Sequence, residues 1–227
     1  MKIQTYDKLR VIITGVTGMV GEGVLHECIN HAAVEKILIV GRRPYEISNP
    51  KVSQVIHSDF YDLTKIESDL TGYNACFFCL GVSSVGLTEE QYRKSTYDLT
   101  MTFAKTLVRQ NPDMIFGYIS GSGTDSTENG KLMWARVKGK TENDLMKLPF
   151  KRVYNFRPGF MKPTPGLKNT LKPYKYLSWL FPILNLVSSN LASTLAEMGM
   201  AMINSVYKGD EKQILEVRDI VRLARKK

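Results

Sequence analysis

The segment at 14–21, Thr14-Gly15-Val16-Thr17-Gly18-Met19-Val20-Gly21, constrains this chain more than any other. It follows a β-branched run at 10–14 (RVIIT) and leads into Val20, Val24, Leu25, Cys28 and Ile29, an apolar stripe at helical spacing. Three glycines spaced by two residues each permit a tight turn and close backbone approach to a pyrophosphate. They also let helix and strand touch, with the helix N-terminus aimed at negative charge. A plain glycine-rich turn can share this spacing. The strand–turn–helix context separates the two readings.

Apolar runs and helical patterns alternate through the rest of the chain. Strands are expected at 36–40, 54–57, 75–80, 114–119, 152–156 and 213–217. Capping boxes open helices at Thr88-Glu89-Glu90-Gln91 and Thr194-Leu195-Ala196-Glu197, and another helix runs from Trp134 to Leu148. The alternation predicts an α/β fold, a doubly wound parallel sheet of the Rossmann type, with ligands beyond the carboxyl ends of the strands. At 227 residues the chain has the length of one such domain, and we read 1–227 as a single unit. Between 160 and 192 the periodicity dissolves among prolines and aromatics. That stretch is expected to be a short C-terminal substrate-side cover rather than part of a sheet.

Cofactor choice is read at the end of the second strand. An acid about 20 residues past the glycines would hold the ribose 2′-hydroxyl of NAD. Here Gly41 is followed by Arg42 and Arg43. Two guanidiniums suit the 2′-phosphate of NADP(H), which they can grip by charge-assisted bonds, so NADP(H) is expected over NAD. A solvated arginine pair on a loop is the plainer reading.

The net charge of +9 is uneven: no acid stands between Asp144 and Glu197, a stretch with eight lysines and arginines before Lys175 is passed. Such a field favours anions, including an acidic small-molecule substrate. No nucleic-acid module accompanies it, so nucleic acid is not an expected partner. Cys76 and Cys79 lie three apart in one apolar run, where strand geometry points them to opposite faces, and no second pair stands at zinc-ligand spacing. No metal is expected. With three cysteines, no secretory leader and no apolar run long enough to span a membrane, the expected compartment is the cytoplasm.

Further pieces follow in order: GRRP at 41–44, DF at 59–60, CLG at 79–81, ISGSGTD at 119–125, ARVKGKTE at 135–142 and FRPG at 156–159. With TGVTGMVG at 14–21 they resemble the short-chain dehydrogenase/reductases. The likeness is to the atypical NAD(P)H-binding branch that is epimerase-like and Tat-interacting-protein-like. The resemblance implies that Gly15, Thr17, Gly18, Met19, Val20 and Gly21 cradle the pyrophosphate and that Arg42 and Arg43 meet the 2′-phosphate. It implies that Asp59 and Phe60 meet the adenine and that Leu80 and Gly81 pass under the ribose. Lys138 would bond the nicotinamide ribose, with Arg157 and Pro158 nearby, and Ser120 or Ser122 would be the catalytic serine. The family's tyrosine stands four residues before that lysine, on the same helix face. Here position 134 is Trp, whose indole is no acid near neutral pH and is otherwise a core residue of that helix. The expected function is an NADP(H)-dependent oxidoreductase on a small anionic substrate. The alternatives are a nucleotide-sensing or scaffold protein without turnover, and a nucleoside-diphosphate-sugar epimerase-like enzyme.

Overall fold

A computed structural model describes residues 6–169 and 192–226. The first strand, β1 (Leu9–Thr14), is buried on both faces from Val11 onward, as its apolar run there requires, while Arg10 is exposed. The glycine turn leads into α1 (Met19–Asn30), and β2 (Val34–Gly41) and β3 (Val52–Ile56) follow. After a 3₁₀ turn at Thr64–Leu70 come β4 (Ala75–Phe78) and a long helix in three parts: α2 (Glu89–Arg93), a π turn (Lys94–Asp98) and α3 (Leu99–Gln110). Next are β5 (Ile115–Ile119), α4 (Met133–Leu145), β6 (Arg152–Arg157), β7 (Phe160–Lys162), β8 (Ala192–Thr194), α5 (Leu195–Tyr207), β9 (Ile214–Glu216) and α6 (Val217–Ala224).

Seven strands form one parallel sheet in the order β3-β2-β1-β4-β5-β6-β9. This is the doubly wound Rossmann arrangement. The crossovers reverse direction between β1 and β4, and the end of β1 is stapled there by the Cys79 N–H, which donates to Thr14 Oγ1 at 3.2 Å. Ile12 and Ile13 show why the strand is apolar on both faces after Arg10. Ile13 joins Val24, Met198, Met202 and Ile220 in a core under α1, α5 and α6. Ile12 joins Phe78, Phe103, Leu107 and Leu145 in a second core under α3 and α4.

On the first face, α1 and α5 press together through glycines. A Cβ on Gly23 would sit 2.2 Å from Leu195, and one on Gly199 would sit 2.5 Å from Glu27. The capping boxes at Thr88 and Thr194 form, with both reciprocal bonds made.

One expectation is corrected. The 160–192 stretch does contribute sheet, because β7 pairs in parallel with β8 as Phe160↔Ala192, Met161↔Ser193 and Lys162↔Thr194. Three residues are too few to show a period of two. After β9 the chain forms α6, whose Val217, Ile220 and Leu223 are buried beneath its charged face. The cover expected at 160–192 otherwise lies outside the described residues from 170 to 191.

Candidate functional site

The glycine turn is shaped for close approach. Gly15 has φ +74°, and a Cβ on it would sit 2.6 Å from the Cys79 carbonyl oxygen; one on Gly21 would sit 2.2 Å from the Gly15 carbonyl oxygen. Only glycine fits either place without moving backbone. Gly18 caps α1 without a side-chain hydrogen bond, so the first amides of the helix are not satisfied by a cap. A pyrophosphate is the kind of group such a turn receives. Thr17 and Gly18 are exposed, while Met19 is buried and Val20 half-buried beneath them.

A cavity of about 230 Å³ opens at this turn, lined by Gly15, Val16, Thr17, Gly41, Arg42, Arg43, Phe60 and Leu80. The sequence pieces at 14–21, 41–44, 59–60 and 79–81 therefore converge on one space. Arg42 and Arg43 are exposed on its rim. Phe60 is buried and stacked on Phe103, with ring centroids 5.7 Å apart. The Asp59 carboxylate accepts from the Tyr61 N–H at 2.8 Å, and Gly81 is exposed beyond β4.

The second half of the site follows β5. Trp134, Lys138 and Glu142 share one face of α4 and meet the 120–123 loop rung by rung. The Trp134 ring lies where a Cβ on Gly123 would touch it at 3.5 Å, and Gly123 has φ +86°. Trp134 is half-buried and belongs to neither core, so its expected place in the helix's apolar stripe is corrected. The Lys138 ammonium donates to the Ser120 carbonyl. Burial pulls its pKa down to about 8, against the opposing pull of Glu142. The Ser120 hydroxyl donates to the Glu142 carboxylate and lies 3.1 Å from the Phe156 carbonyl. It is buried and turned into the protein. Ser122 is exposed, its N–H donating to the carbonyl of buried Pro158 at 2.8 Å. Of the two serines, Ser122 is the one that reaches open space.

Arg157 is committed internally. Its Nε lies 3.0 and 3.2 Å from the two Glu142 oxygens, its Nη1 3.0 Å from Glu216 and its Nη2 2.6 Å from Ser126. Sequence reasoning saw Arg157 but not its partner Glu142. The signal was the i,i+4 spacing of Glu142 from Lys138 on a helix with its own stripe. A second cavity, about 800 Å³, is lined by Ser122, Lys212, Glu216, Val217, Arg218, Asp219 and Arg222. Among the described residues no group of three or more His, Cys, Asp or Glu could hold a metal ion, and no helix is long and apolar enough to cross a membrane.

No protein-family model matches the chain. It is 29% identical over 210 residues to the mitochondrial protein fmp52 of Emericella nidulans, covering 87% of each. It is 25% identical over 153 residues to HTATIP2 of Rattus norvegicus, covering 66% of this chain and 62% of that one. Among solved structures it resembles the ADP-L-glycero-D-manno-heptose-6-epimerase of Helicobacter pylori, with TM-score 0.66 at 14% identity over 99% of this chain and 83% of that one. It also resembles MoeE5, solved with UDP-glucose and NAD, with TM-score 0.63 at 15% identity over 95% and 80%.

The fmp52 relatives are mitochondrial by name, which overturns the cytoplasm as the expected compartment. The absence of a secretory leader and of a long apolar run does not separate cytoplasm from mitochondrion. The chain is thus similar in sequence to the fmp52 and HTATIP2 proteins, and its fold is the Rossmann fold of the epimerase structures.

Proposed function

We propose that this protein binds NADP(H) and acts as an oxidoreductase on a small anionic substrate, in the mitochondrial setting that its relatives' names indicate. The observation that carries the reading is the 230 Å³ cavity, where the glycine turn and the two arginines face the same space. MoeE5 was solved with NAD, and this chain shares its fold. The absence of an acid at Gly41 and the presence of Arg42 and Arg43 support the phosphorylated form.

When bound, the cofactor supplies a hydride. The amides at 15–19 would hold its pyrophosphate, Arg42 and Arg43 its 2′-phosphate, and Lys138 its nicotinamide ribose. Lys138 also holds a proton at Nζ with a pKa near 8. Trp134 supplies no acid one turn before it, so positioning and exclusion of water carry the rate. The 800 Å³ cavity reaches from Ser122 to α6, where Lys212 and Arg222 are paired with Asp219 at 2.7 and 3.5 Å. Arg218 is exposed and, among the described residues, has no acidic partner. An anionic end of a substrate suits that guanidinium.

Trp134 also supports a second reading, a nucleotide-sensing protein without turnover. One experiment addresses both. Calorimetry with NADPH and NADH gives the preference, and NADPH oxidation is then followed against aldehydes, ketones, quinones and flavins. Tight NADPH binding with turnover of an acceptor supports the oxidoreductase. Equal affinity for the two cofactors removes the NADP assignment, and tight binding with no acceptor turned over favours the sensor.

A further inference from the structure

Glu22 has no part in the site described above, yet it is a buried carboxylate, 3% exposed, in the first turn of α1. A carboxylate in that position must be hydrogen-bonded to stay there. Three donors converge on it from two distant parts of the chain. The Tyr45 hydroxyl donates to Oε1 at 3.0 Å. The Lys168 N–H donates to the same oxygen at 2.9 Å, and the Asn169 N–H to Oε2 at 2.7 Å.

Tyr45 stands two residues beyond Arg43, across Pro44. Its backbone is held on β3 by Gln54, whose Oε1 accepts from the Tyr45 N–H at 2.9 Å and whose Nε2 donates to the Tyr45 carbonyl at 2.8 Å. On the other side of the arginines, the Gly41 carbonyl accepts from the His57 N–H at 2.9 Å. The arginine pair therefore spans two fixed points, and among the described residues the hydrogen bond that ties the downstream one to α1 is Tyr45–Glu22, beside the packing of Tyr45 on the core under that helix. The same carboxylate holds the chain at 168–169, just after Leu167 packs against the α1 core. Lys168 also reaches Glu46 at 3.5 Å, one residue past Tyr45.

We infer that Glu22 is a positioning residue: through Tyr45 it sets the grip of Arg42 and Arg43 on the 2′-phosphate, and it couples that grip to the chain at 168–169. The inference rests on the NADP(H) reading and deepens it. The glycine turn contacts the part common to both cofactors, so disturbing Tyr45 acts on the phosphorylated form alone. A contribution of one hydrogen bond predicts that Tyr45→Phe and Glu22→Gln each weaken NADPH binding about three- to tenfold, with NADH within about twofold of the wild type.

The test is calorimetry with NADPH and NADH on the full chain, joined to hydrogen exchange at the 168 and 169 amides. Both single variants should narrow the NADPH-over-NADH preference. Tyr45→Phe added to the Arg42→Ala/Arg43→Ala pair should change nothing further, because the grip it adjusts is gone; a merely structural loss would add. NADPH should slow exchange at 168–169 in the wild type and in an unbound-state-matched comparison should fail to do so in Glu22→Gln. A wild-type NADPH preference that survives Tyr45→Phe intact overturns the inference and leaves the cofactor reading standing, and Tyr45→Phe decides this even if Glu22→Gln does not fold. Equal wild-type affinity for the two cofactors overturns the reading of the arginine pair and the inference with it.

Discussion

The Arg157 guanidinium closes on the fully buried Glu142 carboxylate, with Nε 3.0 Å from one oxygen and 3.2 Å from the other. The pair joins the end of β6 to the last turn of α4, and the Ser120 hydroxyl donates to the same carboxylate. Removing one partner strands the other charge in a dry place. Arg157→Met should cost about 3–5 kcal/mol, whereas Arg157→Met with Glu142→Leu should recover most of that loss. Urea unfolding of the two variants measures it. Equal losses would show that Glu142 is satisfied without Arg157.

The rim of the glycine-turn cavity gives a second prediction. If Arg42 and Arg43 grip the 2′-phosphate, Arg42→Ala with Arg43→Ala loses about 1.5–3 kcal/mol of NADPH binding, at least tenfold. NADH binding should hardly change. Calorimetry decides it, and a parallel loss for both cofactors would place the arginines elsewhere in recognition.

Lys138 makes stability depend on pH. Its folded pKa is depressed to about 8 from 10.5, so between those values the unfolded chain binds the extra proton. Stability from this group therefore rises with pH across that window, by roughly 3 kcal/mol at most. Three thiols, two buried and one half-buried, pull the other way. Burial raises Cys28, Cys76 and Cys79, the last to about 12, so the unfolded chain loses those protons first as pH rises. The measurement is thus a difference. The stability of the wild type relative to Lys138→Met should climb from pH 8 to pH 10, and a flat difference would mean that Lys138 is not desolvated.

Trp134 occupies the face of α4 that leads to Lys138, outside both cores. Trp134→Tyr should cost only about 1 kcal/mol, because a half-buried ring is being trimmed rather than a core one. It restores a phenol one turn from the Lys138 ammonium. General acid assistance is worth about 10²–10⁴ in rate, so reduction of simple carbonyls should rise by a factor in that range. NADPH oxidation with a ketone panel tests this. Brisk wild-type turnover unaffected by the change would assign the proton to another group, with Ser122 the first to examine.

The strands and the glycine turn were legible because their signals are local: β-branched runs, capping boxes and a fixed glycine spacing. Arg42 and Arg43 were legible for the same reason. What escaped depends on partners distant in sequence. Nothing around Ser120 says that its hydroxyl turns toward Glu142 on the next helix, and nothing around Glu22 announces Lys168 and Asn169. The pairing of β7 with β8 joins three residues to three others thirty positions away, too short for any periodicity to register. The π turn at Lys94–Asp98 sits inside a helical stripe whose spacing it barely disturbs.

The contact of Gly23 with Leu195 and of Gly199 with Glu27 bears on the order of events at the ribosome. The first half of the sequence contains the whole glycine turn, yet one side of its sheet is roofed by residues that are translated much later, between Leu195 and Leu223. Until they emerge, α1 presents a bare glycine-lined groove and β1 has only half its cover. A nascent chain of this protein thus carries the glycine turn long before it carries the helix that holds that turn's own helix in place.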